Sequence, residues 1–156
     1  MKNTEVDMKS RLGFFAILFT FLFIFTSVSY SQSVPVYKMI GKSAKTVTNT
    51  YGNPAHRDKS DPLLECMFYQ TKNLRMVFVS GKDGVFQAES TRLLNSSNSA
   101  KSHLDDILKG CIEAGMEVDT LNPDDYKASS MDARAEITLF KNTYSQKYEV
   151  RVKATK

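Results

Sequence analysis

The chain has 156 residues, with 21 Lys and Arg against 17 Asp and Glu, two cysteines and 42% hydrophobic residues. That length holds one domain or at most two small ones. The basic residues are scattered rather than clustered, which excludes the electrostatic footprint of a nucleic-acid binder, and two cysteines exclude a disulfide-dense miniprotein.

Residues 12–28, LGFFAILFTFLFIFTSV, carry no charge, follow Lys9 and Arg11, and run into the small residues Ser27, Ser29 and Ser31. This is the layout of a secretory signal. Cleavage fits after Ser29 or Ser31. The second is preferred, making 1–31 a signal peptide and 32–156 a single exported domain, periplasmic or secreted. The alternative is an uncleaved anchor, since an uncharged stretch of 17 residues lies near the lower limit for crossing a bilayer. Membrane contact is expected only through such an anchor. Met8 opens a tidier signal, MKSRLGFF, and is an alternative start. Without 1–31 the chain loses Lys2, Lys9, Arg11, Glu5 and Asp7, leaving 18 basic and 15 acidic residues, a net charge of +3.

VPVYKMIG alternates apolar residues and predicts a short lead-in strand or arm, confined to an edge by Pro35. Ser43 offers a helix cap, and AKTVTNTY places Ala44, Val47 and Tyr51 at helical spacing. Gly52 and Pro54 then end that helix, which accounts for the stretch TYGNPAH without any chemistry. LLECMFY sets Leu64, Cys66 and Phe68 against Glu65, Met67 and Tyr69; LRMVFV sets Leu74, Met76 and Phe78 against Arg75, Val77 and Val79; VFQAEST follows the turn SGKDG. Turns this short predict an antiparallel meander.

NSSNS at 95–99 is the most polar stretch and marks a boundary between possible subunits 32–94 and 100–156. Ser102 reads as a second cap, with Asp105 and Asp106 in the first turn. The helix it opens carries Leu104, Ile107, Leu108, Cys111 and Ile112 on one stripe and ends at Gly115. NPDDYKAS reads as one helical turn. AEITLF and KYEVRVKA give two final strands with one apolar and one charged face.

The first half, with its capped helix ending in Tyr51-Gly52-x-Pro54 followed by LLECMFY, LRMVFV and GVFQAE, resembles the small helix-plus-meander domain of the outer-membrane barrel-assembly lipoproteins. The same fold is shared by the β-lactamase inhibitor proteins, where two such units stand in tandem. The resemblance covers roughly residues 40–90 and implies a noncatalytic module that binds another protein through its sheet or loops. It departs from the lipoprotein pattern in having no lipid-attachment cysteine, and it maps no site residue.

Chemistry is sparse. His56 lies in the charged segment AHRDKSD, read as a loop in which a solvated imidazole suffices. Cys66 and Cys111, placed on apolar faces of a strand and a helix, are read either as a disulfide or as two buried free thiols. A cysteine nucleophile or a zinc site from the two histidines and two cysteines lacks paired spacing. The doublets Asp105–Asp106 and Asp124–Asp125 do not face one another as acid/base pairs must, and VDTLNPDD lacks the order of a calcium loop. Tyr69, Arg75, Phe140 and Arg151, assigned to the wet face of the sheet, are of the types that interfaces enrich.

Together these readings predict an α+β fold: an antiparallel sheet of about five strands covered on one face by two helices, with possible tandem helix-plus-strands units. The expected function is a noncatalytic binding module of the cell envelope, without cofactor or metal. A protein partner would be held through the sheet surface or the 53–61 loop by His56, Arg57, Tyr69, Arg75, Phe140 and Arg151. The alternative is a small secreted hydrolase or metal-binding protein using His56 with acidic loop residues.

Overall fold

A computed structural model describes residues 34–156, so the signal, its cleavage site and the start-codon reading lie outside the described residues. Pro35, with φ −61°, opens a 3-10 turn at Val36–Met39 where a strand is expected. Proline fixes the φ that such a turn needs. Helix α1 spans Ala44–Tyr51; the Ser43 side chain accepts from the Thr46 N–H, and the helix stops at Gly52. Strands β1 (His56–Asp58), β2 (Glu65–Gln70), β3 (Leu74–Gly81) and β4 (Gly84–Leu94) follow, then helix α2 (Ser97–Glu113) and strands β5 (Glu117–Asn122), β6 (Asp125–Ser129), β7 (Arg134–Lys141) and β8 (Tyr148–Thr155).

The strands form one antiparallel sheet in the order β1-β2-β3-β4-β8-β7-β6-β5. This overturns the expected α+β fold of about five strands. The chain is mostly β, with eight strands and only two α-helices among the described residues. The three added strands are β1, β5 and β6. Their sequences HRD, EVDTLN and DYKAS are mostly polar because β1 and β5 are the two edges of the sheet and bury little.

Two further readings are corrected. Helix α2 begins inside the polar stretch 95–99: the Ser96 side chain accepts from the Ser99 N–H, while Ser102 lies within the helix. Serine and asparagine there act as helix-starting residues rather than as a linker. The helical turn expected in NPDDYKAS is a hairpin. The Asn122 side-chain oxygen Oδ1 accepts from the Asp124 N–H at 3.1 Å, and its side-chain amide Nδ2 donates to the Asp125 carboxylate at 2.6 Å. An Asx-Pro pair that can cap a helix can equally turn a strand.

Helix α2 ends in a full Schellman motif. Gly115, at φ 76°, donates to Ile112, Met116 donates to Cys111, and Met116 is buried beneath the turn.

One face of the sheet carries the core. Adjacent strands align a single row of side chains across it: Arg57, Met67, Phe78, Ala88, Ala154, Ala135, Ala128 and Val118. Its large members lie under the short α1, where Val47 is fully buried and Tyr51 packs against Tyr69 and Phe78 with ring centroids 5.8 and 5.1 Å apart. Its alanines on β4, β8 and β7 lie on strands against which the 3-10 turn and α2 pack. Small side chains there let backbone elements approach, as does Gly110, where a Cβ would stand 2.8 Å from the Tyr37 hydroxyl. Val36, Tyr37 and Met39 of the turn, Val47 of α1, and Ala100, Leu104, Ile107 and Cys111 of α2 all join this one core.

Candidate functional site

The next row lies on the opposite, open face: His56, Phe68, Val77, Glu89, Lys153, Glu136, Lys127 and Asp119, one residue from each strand. From β4 to β5 the signs alternate, so each charge stands directly across from its opposite. Such cross-strand pairs stabilise an exposed sheet. From β1 to β3 the row is aromatic and aliphatic instead. The row beside it repeats the contrast, with Cys66 and Val79 on β2 and β3 against Gln87, Thr155, Arg134 and Ser129 on the next four strands.

The open face therefore divides into a lattice of alternating charges and an apolar third. A bulge enlarges that third. Val85 and Ala88 both face the core, opposite Ser80 and Phe78, which leaves Phe86 and Gln87 together on the exposed side. Phe86 and Phe68 are each more than a third exposed, as is Leu64, while Leu63 at the same end is 79% exposed.

The sequence-predicted site residues separate. Tyr69 points into the core, 7% exposed, its hydroxyl donating to the Gly52 carbonyl at 3.1 Å, so its place on the wet face is corrected. Burial pushes its hydroxyl pKa upward, as it does that of the neighbouring Tyr51. Arg57 turns to the same side as Tyr69, where its guanidinium binds Glu65 at 2.7 Å and the Thr48 hydroxyl of α1 at 3.1 Å. It is a clamp holding the edge strand and α1 to β2. His56 belongs to strand β1 rather than a loop, exposed, with its ring 5.6 Å from that of Phe68.

Arg75, Phe140 and Arg151 do lie on the open face. Arg151 stacks on Phe140 at 5.1 Å and stands 3.6 Å from Glu89 and 3.9 Å from Glu149. That Phe140–Arg151 pair is already engaged within the chain.

The cysteines are both free, and the sheet stands between them. Cys111 is buried in the core beside the Tyr37 hydroxyl, its thiol pKa raised by desolvation, whereas Cys66 is half-buried on the open face opposite Asp58 and Val79. The disulfide reading and the reading of two buried thiols on one face both rested on the wrong phase for β2.

His56, Asp58 and Cys66 share the open face, yet no hydrogen bond joins them among the described residues. Asp58 instead accepts from the Ser60 N–H at 2.8 Å, which holds its carboxyl below the usual range. Among the described residues no cluster of three metal-ligating side chains forms, and no helix is long and apolar enough to cross a membrane.

No protein-family model and no curated protein matches the chain. Among solved structures it is similar to an extracellular protein containing an SCP domain from Bacillus anthracis strain Ames, at 15% identity and a TM-score of 0.44 over 82% of this chain and 48% of that one. It is also similar to a cysteine-rich secretory protein from Staphylococcus aureus Mu50, at 11% identity and a TM-score of 0.39 over 74% and 44%. The chain thus spans about half the length of each.

Proposed function

We propose that the chain is an exported, noncatalytic binding module of the cell envelope, and that it docks a protein partner on the β1–β3 third of its open face. Export is read from residues 12–31. The observation that supports the binding role is the contrast within one row, where His56, Phe68 and Val77 continue the line of Glu89, Lys153, Glu136, Lys127 and Asp119. Along this row the sheet carries charges of alternating sign on five strands and none of those charges on the other three. Contiguous exposed apolar surface of this kind marks interaction sites.

Size sets the strength. Three strands about 4.8 Å apart, of three, six and eight residues at about 3.4 Å each, offer a flat footprint of about 280 Å², about a third of the roughly 800 Å² per partner of a standard interface. The partner must also reach the rim formed by Leu63, Leu64 and Phe86, or bind transiently. The segment 53–61, which contains β1, contributes His56 to this surface.

The test is site-specific photocrosslinking in cells that export the protein. A crosslinker at Val79 is expected to capture a partner, and Phe68→Asp to abolish that capture, while a crosslinker at Lys127 captures none. Equal capture from both positions overturns the assignment.

A further inference from the structure

Between the apolar third and the charge lattice, strands β3, β4 and β8 and the turn after β7 enclose an open depression of about 370 Å³. Four charged side chains line it, Arg75, Arg151, Glu89 and Glu149, over the apolar Val77 and Leu93. Bonding capacity is left over within this set. Arg75 forms no ion pair or hydrogen bond among the described residues. The Arg151 Nε is fully buried without a hydrogen-bond partner, its nearest carboxylate oxygen lying 3.6 Å away on Glu89. Glu149, whose side chain is 10% exposed, accepts from the Asn142 amide at 2.7 Å through one oxygen; its other oxygen lies 3.9 Å from the Arg151 guanidinium, beyond hydrogen-bond reach.

That second oxygen is not sealed off from solvent, so it stands as an open acceptor in the lining of the depression. The depression is also far larger than one water, whose share of liquid volume is about 30 Å³. The balance of two positive and two negative groups selects the ligand. A simple anion entering here is repelled by Glu89 and Glu149, and a simple cation by Arg75 and Arg151. A molecule carrying both signs meets neither objection. Arg75 and Arg151 lie in one row on either side of Thr91, two strand spacings or about 10 Å apart, so their long side chains can converge on one group between them.

We propose that this depression binds a small zwitterion of amino-acid or dipeptide size, its carboxylate on Arg75 beside the Arg151 guanidinium and its ammonium on the free oxygen of Glu149. This site adjoins the protein-docking surface, since Arg75 stands on β3 and Val77 borders both, but it rests on different chemistry, the charged groups rather than the apolar ones.

Titration of the purified protein followed by ¹H–¹⁵N NMR tests it, with glycine and glycylglycine as probes. N-acetyl-glycylglycine, which lacks the ammonium, and glycylglycinamide, which lacks the carboxylate, serve as half-ligands. Glycylglycine or glycine is expected to give saturable shifts confined to β3, β4 and β8, with a dissociation constant of the order of millimolar, and each half-ligand to bind about tenfold more weakly. Preference between the two zwitterions sets the ligand size. Glu149→Gln and Arg75→Gln, each checked for a native spectrum, are expected to weaken binding about tenfold, while Arg134→Gln leaves it unchanged. Absence of saturable shifts, half-ligands that bind as well as the zwitterions, or a folded Glu149→Gln variant that binds normally overturns the proposal.

Discussion

Gly81 and Gly84 bracket the two-residue turn between β3 and β4, yet substitution by alanine should act in opposite directions. At Gly84 the backbone has φ 94°, and a Cβ would stand 2.8 Å from the carbonyl oxygens of both Gly41 and Lys42. Those are backbone atoms, which cannot rotate away. They are also tied down, since Gly41 donates to the Val85 carbonyl at 2.7 Å and the Val85 N–H donates to Lys42 at 2.8 Å. Holding a non-glycine residue at that φ costs about 1–3 kcal/mol, and each backbone bond stretched to relieve the clash forfeits about 1 kcal/mol. Gly84→Ala should therefore lose about 3 kcal/mol of stability. At Gly81 the nearest atoms to an added Cβ are the Phe86 ring carbons at 3.7 and 3.8 Å and the Leu63 carbonyl oxygen at 3.8 Å, ordinary contacts without a left-handed backbone. Gly81→Ala should be neutral or stabilise by about 0.5 kcal/mol through the unfolded chain. Urea unfolding read by circular dichroism decides, with the midpoint falling for Gly84→Ala and the slope unchanged. A Gly84→Ala midpoint equal to wild type refutes the steric argument, as does a Gly81→Ala loss of similar size.

His103 sits partly buried on α2, where burial chiefly and the Arg92 charge secondarily push its pKa below the ordinary 6.5, with Asp106 opposing. The unfolded chain then binds a proton that the folded chain refuses, so stability is full above pH 6.5 and falls as the pH drops below it; His103→Gln should flatten that part of a melting-temperature profile. The two thiols should differ: iodoacetamide modifies Cys66 in the native protein and Cys111 only after unfolding, and oxidation produces no intramolecular crosslink, with peptide mass analysis as the readout. Rapid native labelling of Cys111 would place α2 elsewhere.

The residues that revealed themselves in the sequence are those with one buried and one wet side. Ala135, Ile137 and Leu139 in β7, and Val150, Val152 and Ala154 in β8, alternate with polar residues and are buried. Strand β2 is different because both phases of LECMFY are apolar. Hydropathy cannot choose between Cys66 with Phe68 and Met67 with Tyr69. The choice is made by packing, where Met67 lies opposite Phe78 and Tyr69 meets Tyr51 at a tilt and Phe78 in a T-shaped arrangement, contacts between residues up to 18 apart in the chain. Strands β1, β5 and β6 were illegible for the opposite reason, having too little buried surface to impose a period. Of the site, Arg75, Phe140 and Arg151 were assigned to the correct face by alternation alone. The apolar third was not, since it appears only when the rows of neighbouring strands are aligned.

That alignment also bears on why the ambiguity in β2 exists. Each helix is followed by four antiparallel strands, and the two sets meet where β4 pairs with β8. Both sets need one apolar face to hold a helix, and both receive it. On the other face the later set shows that this sheet can be covered by Lys153, Glu136, Lys127 and Asp119 in alternating sign, at no cost to the core. Nothing in the backbone prevents the earlier set from doing the same. Strands apolar on both faces are what a sheet requires when both faces are to be covered, and among the described residues only one face of β2 and β3 is. The second apolar phase of LECMFY, the feature that blurred the strand's orientation, is therefore the feature that the proposed docking of a partner on this face would use.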